Sequence, residues 1–130
     1  MPSRNRLILH HLYEALHARD YPTLFKFLSP EIRITHSPQL RCGGTFQGHD
    51  GAKEFFERLG TFVTSHVAIE RILGMGDQMA VTVWAGITGR TGRRFAVPIA
   101  YLWEFKDGLG VRLDVALDVR RFQVPLADAA

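Results

Sequence analysis

"RRFAVPIAYLWEFKDGLGVRLDVALDVRRF", Arg93 to Phe122, decides the fold. Apolar residues recur through it at every second position. Phe95, Val97, Ile99, Tyr101, Trp103 and Phe105 fall on one side of a first segment, and Val111, Leu113, Val115, Leu117 and Val119 on one side of a second. Successive side chains of a strand point to opposite faces, so the pattern predicts strands over 93–106 and 111–122. Asp107 to Gly110 reads as a turn of hairpin type, which makes the two strands antiparallel neighbours. The other side of the last strand carries Arg112, Asp114, Ala116, Asp118 and Arg120. Such a face is either solvated, or it lines a polar cavity while the apolar side meets something else.

Upstream, the same period predicts strands over 64–73 and 78–88, with short turns at Gly74 to Asp77 and Gly89 to Gly92. Before Phe62 the period changes. Leu9, Leu12, Tyr13 and Leu16 fall at i, i+3, i+4 and i+7, which predicts a helix over 4–19 that Ser3 can cap. Pro22 suits the first turn of a short second helix with Leu24, Phe27 and Leu28 inside, and Ser29-Pro30 stops it. Ile32, Ile34 and His36 share one face of a short strand. An irregular excursion rich in Pro and Gly follows, and Asp50 can cap a third helix that buries Ala52, Phe55, Phe56 and Leu59. Helices first and a meander after them mean an α+β fold, with three N-terminal helices packed in a strongly curved, mostly antiparallel sheet.

The chain has 130 residues, enough for one domain over 1–130 with a sizeable core. Its 46% apolar and 22% charged residues describe a globular protein and not a disordered one. No signal-type run begins at Met1 and no apolar stretch is long enough to span a bilayer, so no membrane is expected. The single cysteine, Cys42, excludes an internal disulfide framework, and a reducing, cytoplasmic setting is the simplest expectation. The net charge of +3 is spread without a basic stripe, which argues against nucleic acid. Neither GxxxxGK[ST] nor GxGxxG is present, so no phosphate loop is expected.

His36 ends its strand and has the side chain best suited to moving protons near neutral pH. Asp118 or Asp114 could orient it, and Tyr13 and Tyr101 could donate to a developing oxyanion. Each has a plainer reading: a strand-end histidine bonded to backbone, amphipathic tyrosines at the core's edge, and a wet strand face of paired Asp and Arg. Phe55, Trp84 and Trp103, with other aromatics, offer walls for a planar hydrophobic ligand, though cores are aromatic too. His10, Glu14 and His17 form a helical stripe that nothing else completes as a metal site, so no metal is expected.

The order of these elements, with "LYEALHARDYPTLFKFLSPEI", "GGTFQGHDGAKEFF", "YLWEFKDG" and "VALDVRRF", resembles the nuclear transport factor 2-like superfamily, in particular its SnoaL-like and ketosteroid isomerase-like small proteins. The resemblance implies a cone: a curved sheet wrapped around helices, with a deep, largely apolar pocket at its open end. It also implies a homodimer through the outer face of the sheet. His36 would then end its strand at the pocket, with the Pro- and Gly-rich excursion on the rim. By the same likeness Tyr13 stands at the oxyanion-donor position. His36 stands where the ketosteroid isomerases have their aspartate base, and Tyr101 where they have a second, acidic donor. Asp114 and Asp118 would face the pocket, as acid–base aspartates do in SnoaL-like cyclases, while the linked Asp-Arg-Asp set of the epoxide hydrolase-like relatives is not matched in full. The expected function is therefore a small-molecule-binding protein. It would be a cofactor-independent acid–base enzyme of the isomerase, cyclase or hydrolase type, with His36, Tyr13 and Asp118 catalytic and Tyr101, Trp103, Asp114, Phe55 and Trp84 at the substrate. A non-catalytic ligand-binding or dimerisation module of the same fold is the alternative.

Overall fold

The stripe on the first helix does what its spacing requires. Over Arg4–His17 (α1) the helix buries Ile8, Leu9, Leu12, Tyr13 and Ala15. The computed structural model describes residues 4–36, 44–60, 63–88 and 92–117. Ser3, Asp118 and the segment 37–43 with Cys42 lie outside them. The second helix, Tyr21–Phe25 (α2), has Pro22 in its first turn and Asp20 as its cap. The Asp20 carboxylate accepts from the Thr23 amide at 3.3 Å and from the Thr23 hydroxyl at 2.6 Å.

Ser29-Pro30 does not break the chain there. The helix has already ended, and strand β1 runs Leu28–His36 straight through Pro30. Its parallel ladder with the last strand is irregular between Leu28 and Arg33, so the amide that proline lacks is not demanded by the sheet. Part of the excursion is itself a strand, β2 (Gly44–Gln47), antiparallel to β1 with His36 opposite Gly44. Helix α3 (Gly48–Leu59) then starts earlier than expected. Gln47 occupies the cap position without a side-chain bond, and Asp50 sits in the first turn, where a negative charge favours the helix dipole. Gly48, at φ +74°, turns the strand into the helix.

The meander follows as β3 (Val63–Met75), β4 (Gln78–Thr88), β5 (Arg94–Lys106) and β6 (Leu109–Leu117). Asp107 and Gly108 both take positive φ between β5 and β6, the turn geometry that matches strand twist. The sheet order is β2-β1-β6-β5-β4-β3. Among the described residues β1 and β6 run parallel, and the other four pairings are antiparallel. The result is an α+β fold with three helices and a curved, unclosed, mostly antiparallel sheet. α1 is also tied to the β3–β4 hairpin, where the Asn5 amide donates to the Gly76 carbonyl at 2.6 Å and Arg6 to the Ile72 carbonyl at 3.0 Å.

The face of β6 corrects an expectation. If Asp114 faced the pocket, Leu113 and Val115 would face outward. Instead Leu113 and Val115 are buried, because they pair with Trp103 and Tyr101, which face the helices. Directly opposed residues share a face, and burying that apolar row is favourable where burying unpaired charge is not. Asp114 therefore lies opposite Leu102 on the outer face, ion-paired with Arg112 at 3.1 Å. Trp84 is corrected in the same way. Val81, Val83 and Ala85 of β4 are buried against the helices, so Trp84, between them, points to the outer face, opposite Pro98.

Candidate functional site

β1 delivers His36 to the inner face because Leu28, Ile32, Ile34 and His36 are its buried positions. Pairing carries that row across the sheet. Ile34 lies opposite Leu113 and Thr35 opposite Asp114, so His36 is level with Val115, which in turn pairs with Tyr101. His36 and Tyr101 are thus two strands apart on one face, about 10 Å between backbones at the usual strand spacing. His36 is 3% exposed, a buried imidazole set among apolar and aromatic side chains.

Two aromatic groups cover this face. α3 sets Phe55 over His36 with ring centroids 5.6 Å apart, and Phe55 also meets Phe46 at 5.4 Å and Phe56 at 5.1 Å. α1 sets Tyr13 edge-on to Tyr101 at 5.7 Å and to Trp103 at 6.3 Å. The Trp103 indole Nε1 donates to the Tyr13 hydroxyl at 3.0 Å. Burial first, then the neighbouring Tyr101, push the Tyr13 phenol well above its ordinary pKa, and the Trp103 hydrogen bond opposes them. Tyr13 is therefore a neutral hydrogen-bond donor around neutral pH and not a base.

So the structure brings together His36, Phe55, Tyr13, Tyr101 and Trp103 on the inner face, and leaves Asp114 and Trp84 on the outer one. Asp118 lies outside the described residues. Phe46 joins the aromatic group from β2, a strand too short and too glycine-flanked for its alternation to announce it. The Trp103–Tyr13 bond spans 90 positions of sequence and has no local signal. His10, Glu14 and His17 lie exposed along α1, and among the described residues no three His, Cys, Asp or Glu side chains converge as metal ligands.

Two concavities formed by described residues lie elsewhere. One, of about 490 Å³, opens on the outer face between Leu73, Ala80, Leu102, Glu104 and the Arg112–Asp114 pair. The other, of about 430 Å³, runs between β2 and the start of α3, where Arg58 pairs with Glu54 and lies over the Phe46 ring. No helix of the described residues is long and apolar enough to cross a membrane.

Helices packed on a curved, unclosed, mostly antiparallel sheet make the α+β fold of the nuclear transport factor 2-like proteins. Residues 9–113 match the SnoaL-like domain family, and the chain belongs to it. It is similar to a nuclear transport factor 2-like protein of unknown function from Burkholderia pseudomallei K96243, at 26% identity and a TM-score of 0.84, over 95% of this chain and 98% of the other. It is similar also to TerC, co-crystallised with polyporic acid, at 22% identity and a TM-score of 0.85, over 96% and 99%. A protein of ketosteroid isomerase-like fold from Catenulispora acidiphila DSM 44928, in complex with trimethylamine, shares the fold at 15% identity and a TM-score of 0.74, over 92% of each chain. No curated protein matches the chain.

Proposed function

We propose that this single SnoaL-like domain binds a small hydrophobic molecule in a largely apolar pocket at the His36 end of the sheet's inner face. It acts on that molecule by acid–base chemistry, as an isomerase, cyclase or hydrolase that needs neither metal nor organic cofactor. One observation carries the reading: an imidazole buried on an otherwise apolar face, on the same side of the sheet as two tyrosines. Apolar walls with a few convergent polar groups are the usual form of a small-molecule site. The co-crystal of TerC with polyporic acid supports a small organic ligand for this fold.

In the acid–base step His36 takes a proton from the ligand, for instance from carbon beside a carbonyl. The C–H electron pair becomes the C=C bond of an enolate while the carbonyl π pair moves onto oxygen, and Tyr13, with Tyr101, donates hydrogen bonds to the charge that collects there. The imidazolium returns the proton at a second position, so the protein ends as it began.

The second reading, a non-catalytic module, is favoured by the outer face. Leu73 and Leu102 are half-exposed there beside Ala80, Pro98, Ala100 and Ala116. A homodimer through that face belongs to either reading.

Screening small aromatic metabolites by thermal shift tests the proposal, because a ligand that binds only the native state raises its melting temperature. A ligand so found should be turned over by the wild type. His36→Ala should lower that rate by about 10²–10⁴-fold, the usual worth of a general base, with the ligand still bound. Binding without turnover in the wild type would leave the binding module as the function.

A further inference from the structure

The sequence offers Trp103 as a wall for the ligand. Its surroundings describe a different task. The indole stacks on Phe105 at 5.9 Å, and its six-membered ring lies so close to β6 that a Cβ added at Gly110 would meet Cζ3 at 3.2 Å. It is therefore clamped in the core, 2% exposed, with its one polar group aimed at Tyr13. An indole N–H can only donate, so the Tyr13 oxygen must accept. The indole N–H lies in the plane of its ring, so its donation to the Tyr13 hydroxyl brings the indole edge, and not its face, to the phenol, with the two rings at 89°.

We propose that Trp103 is the positioning residue of Tyr13. Its N–H occupies the acceptor side of the phenol and turns the phenol's own O–H away from the indole. That O–H becomes a fixed donor for an anionic oxygen, phenolate or enolate, on an aromatic or otherwise apolar ligand. The inference rests on the ligand site proposed above. A donor that feeds a hydroxyl polarises it, so the same bond that orients Tyr13 also strengthens its outgoing hydrogen bond. Without it a buried phenol can rotate, and its O–H has no preferred direction.

Trp103→Phe keeps the ring and deletes the N–H. With 3-fluorotyrosine at position 13, fluorine NMR should show the phenol ionising at higher pH in the variant, by on the order of half a unit or more, because the phenolate loses a donor. An unmoved or lowered midpoint overturns the proposal. A second measurement needs no substitution at position 103. In the protein carrying only the fluorinated Tyr13, the Trp103 indole N–H resonance should shift through the same midpoint as the fluorine, with Trp84 on the outer face as the internal control. A flat Trp103 resonance overturns the proposal equally. Binding then separates this inference from the site it rests on. Affinity for 4-nitrophenolate should fall about three- to tenfold in Trp103→Phe, but not when Trp103→Phe is added to Tyr13→Phe, and 4-nitrotoluene should bind both proteins alike. Equal losses for both probes overturn it. If neither probe binds the wild type, the ligand site fails, and the two titrations still decide the role of Trp103.

Discussion

Tyr13 keeps a hydroxyl in an apolar interior, which costs free energy unless the oxygen is hydrogen-bonded. Trp103 supplies the bond, and the two residues depend on each other in return. Tyr13→Phe would strand a buried indole N–H and should destabilise the protein by roughly 1–3 kcal/mol, read from denaturant unfolding at neutral pH. The alkaline side carries a sign. The folded phenol ionises well above its ordinary value of 10.0, so its stabilising contribution is whole below about pH 10 and is lost as pH rises through the folded value. The stability gap between wild type and Tyr13→Phe should therefore narrow above about pH 10, and a gap that widens there would contradict the burial argument. His36 differs in kind. Its period-two spacing from Ile32 and Ile34 is enough to put it on the inner face, but its enclosure by Phe55 comes from a helix the strand pattern does not mention.

Among the elements, α2 shows how little a short helix has to hold it. Five residues are too few to be stable alone, and the cap does much of the holding. The Thr23 hydroxyl and then the Thr23 amide lower the Asp20 pKa below its ordinary 3.8. A depressed carboxyl contributes stability above its unfolded pKa and loses it as pH falls through the folded value. Asp20→Ala should lower the melting temperature at pH 7, and the deficit should close as the pH drops below about 3.8. A deficit that persists in acid would mean that the cap acts through packing and not through charge. β6 shows the opposite case, an element whose pattern was plain and whose orientation was not. Alternation separates Leu113 and Val115 from Arg112 and Asp114, yet it is silent about which set turns inward. The pairing of Leu113 with Trp103 decides it.

At the scale of the whole molecule, that orientation moves the case for assembly. The apolar row of β6 is spent on the core, so a dimer cannot be argued from Val111, Leu113 and Val115. The outer face has other resources: Leu73 is 51% exposed and Leu102 46%, across a shallow concavity flanked by Glu104, Arg112 and Asp114. Exposed apolar side chains grouped on one sheet face mark an interaction surface, and opposite charges beside them allow a two-fold match. Light scattering at micromolar concentration should find the wild type as a dimer and Leu102→Arg as a monomer. A monomeric wild type would leave that face without a partner copy.

The sequence by itself determined most of the elements and their order. Period two and period 3.6 are local signals, written by neighbours a few residues apart, and they sufficed for α1, α3, the four-strand meander and the α+β class. The resemblance carried by the same stretches reached the family. Three things waited for the tertiary structure. β2 is too short to show a period. The inward face of β6 is set by strand pairing, since alternation defines two faces but not which is buried. The meeting of His36 with Phe55, and of Tyr13 with Trp103, joins residues of separate elements that only the curved sheet brings under the helices. Side-chain chemistry could be listed from the chain, but a site is a set of distances, and distances between far-apart residues are decided by packing.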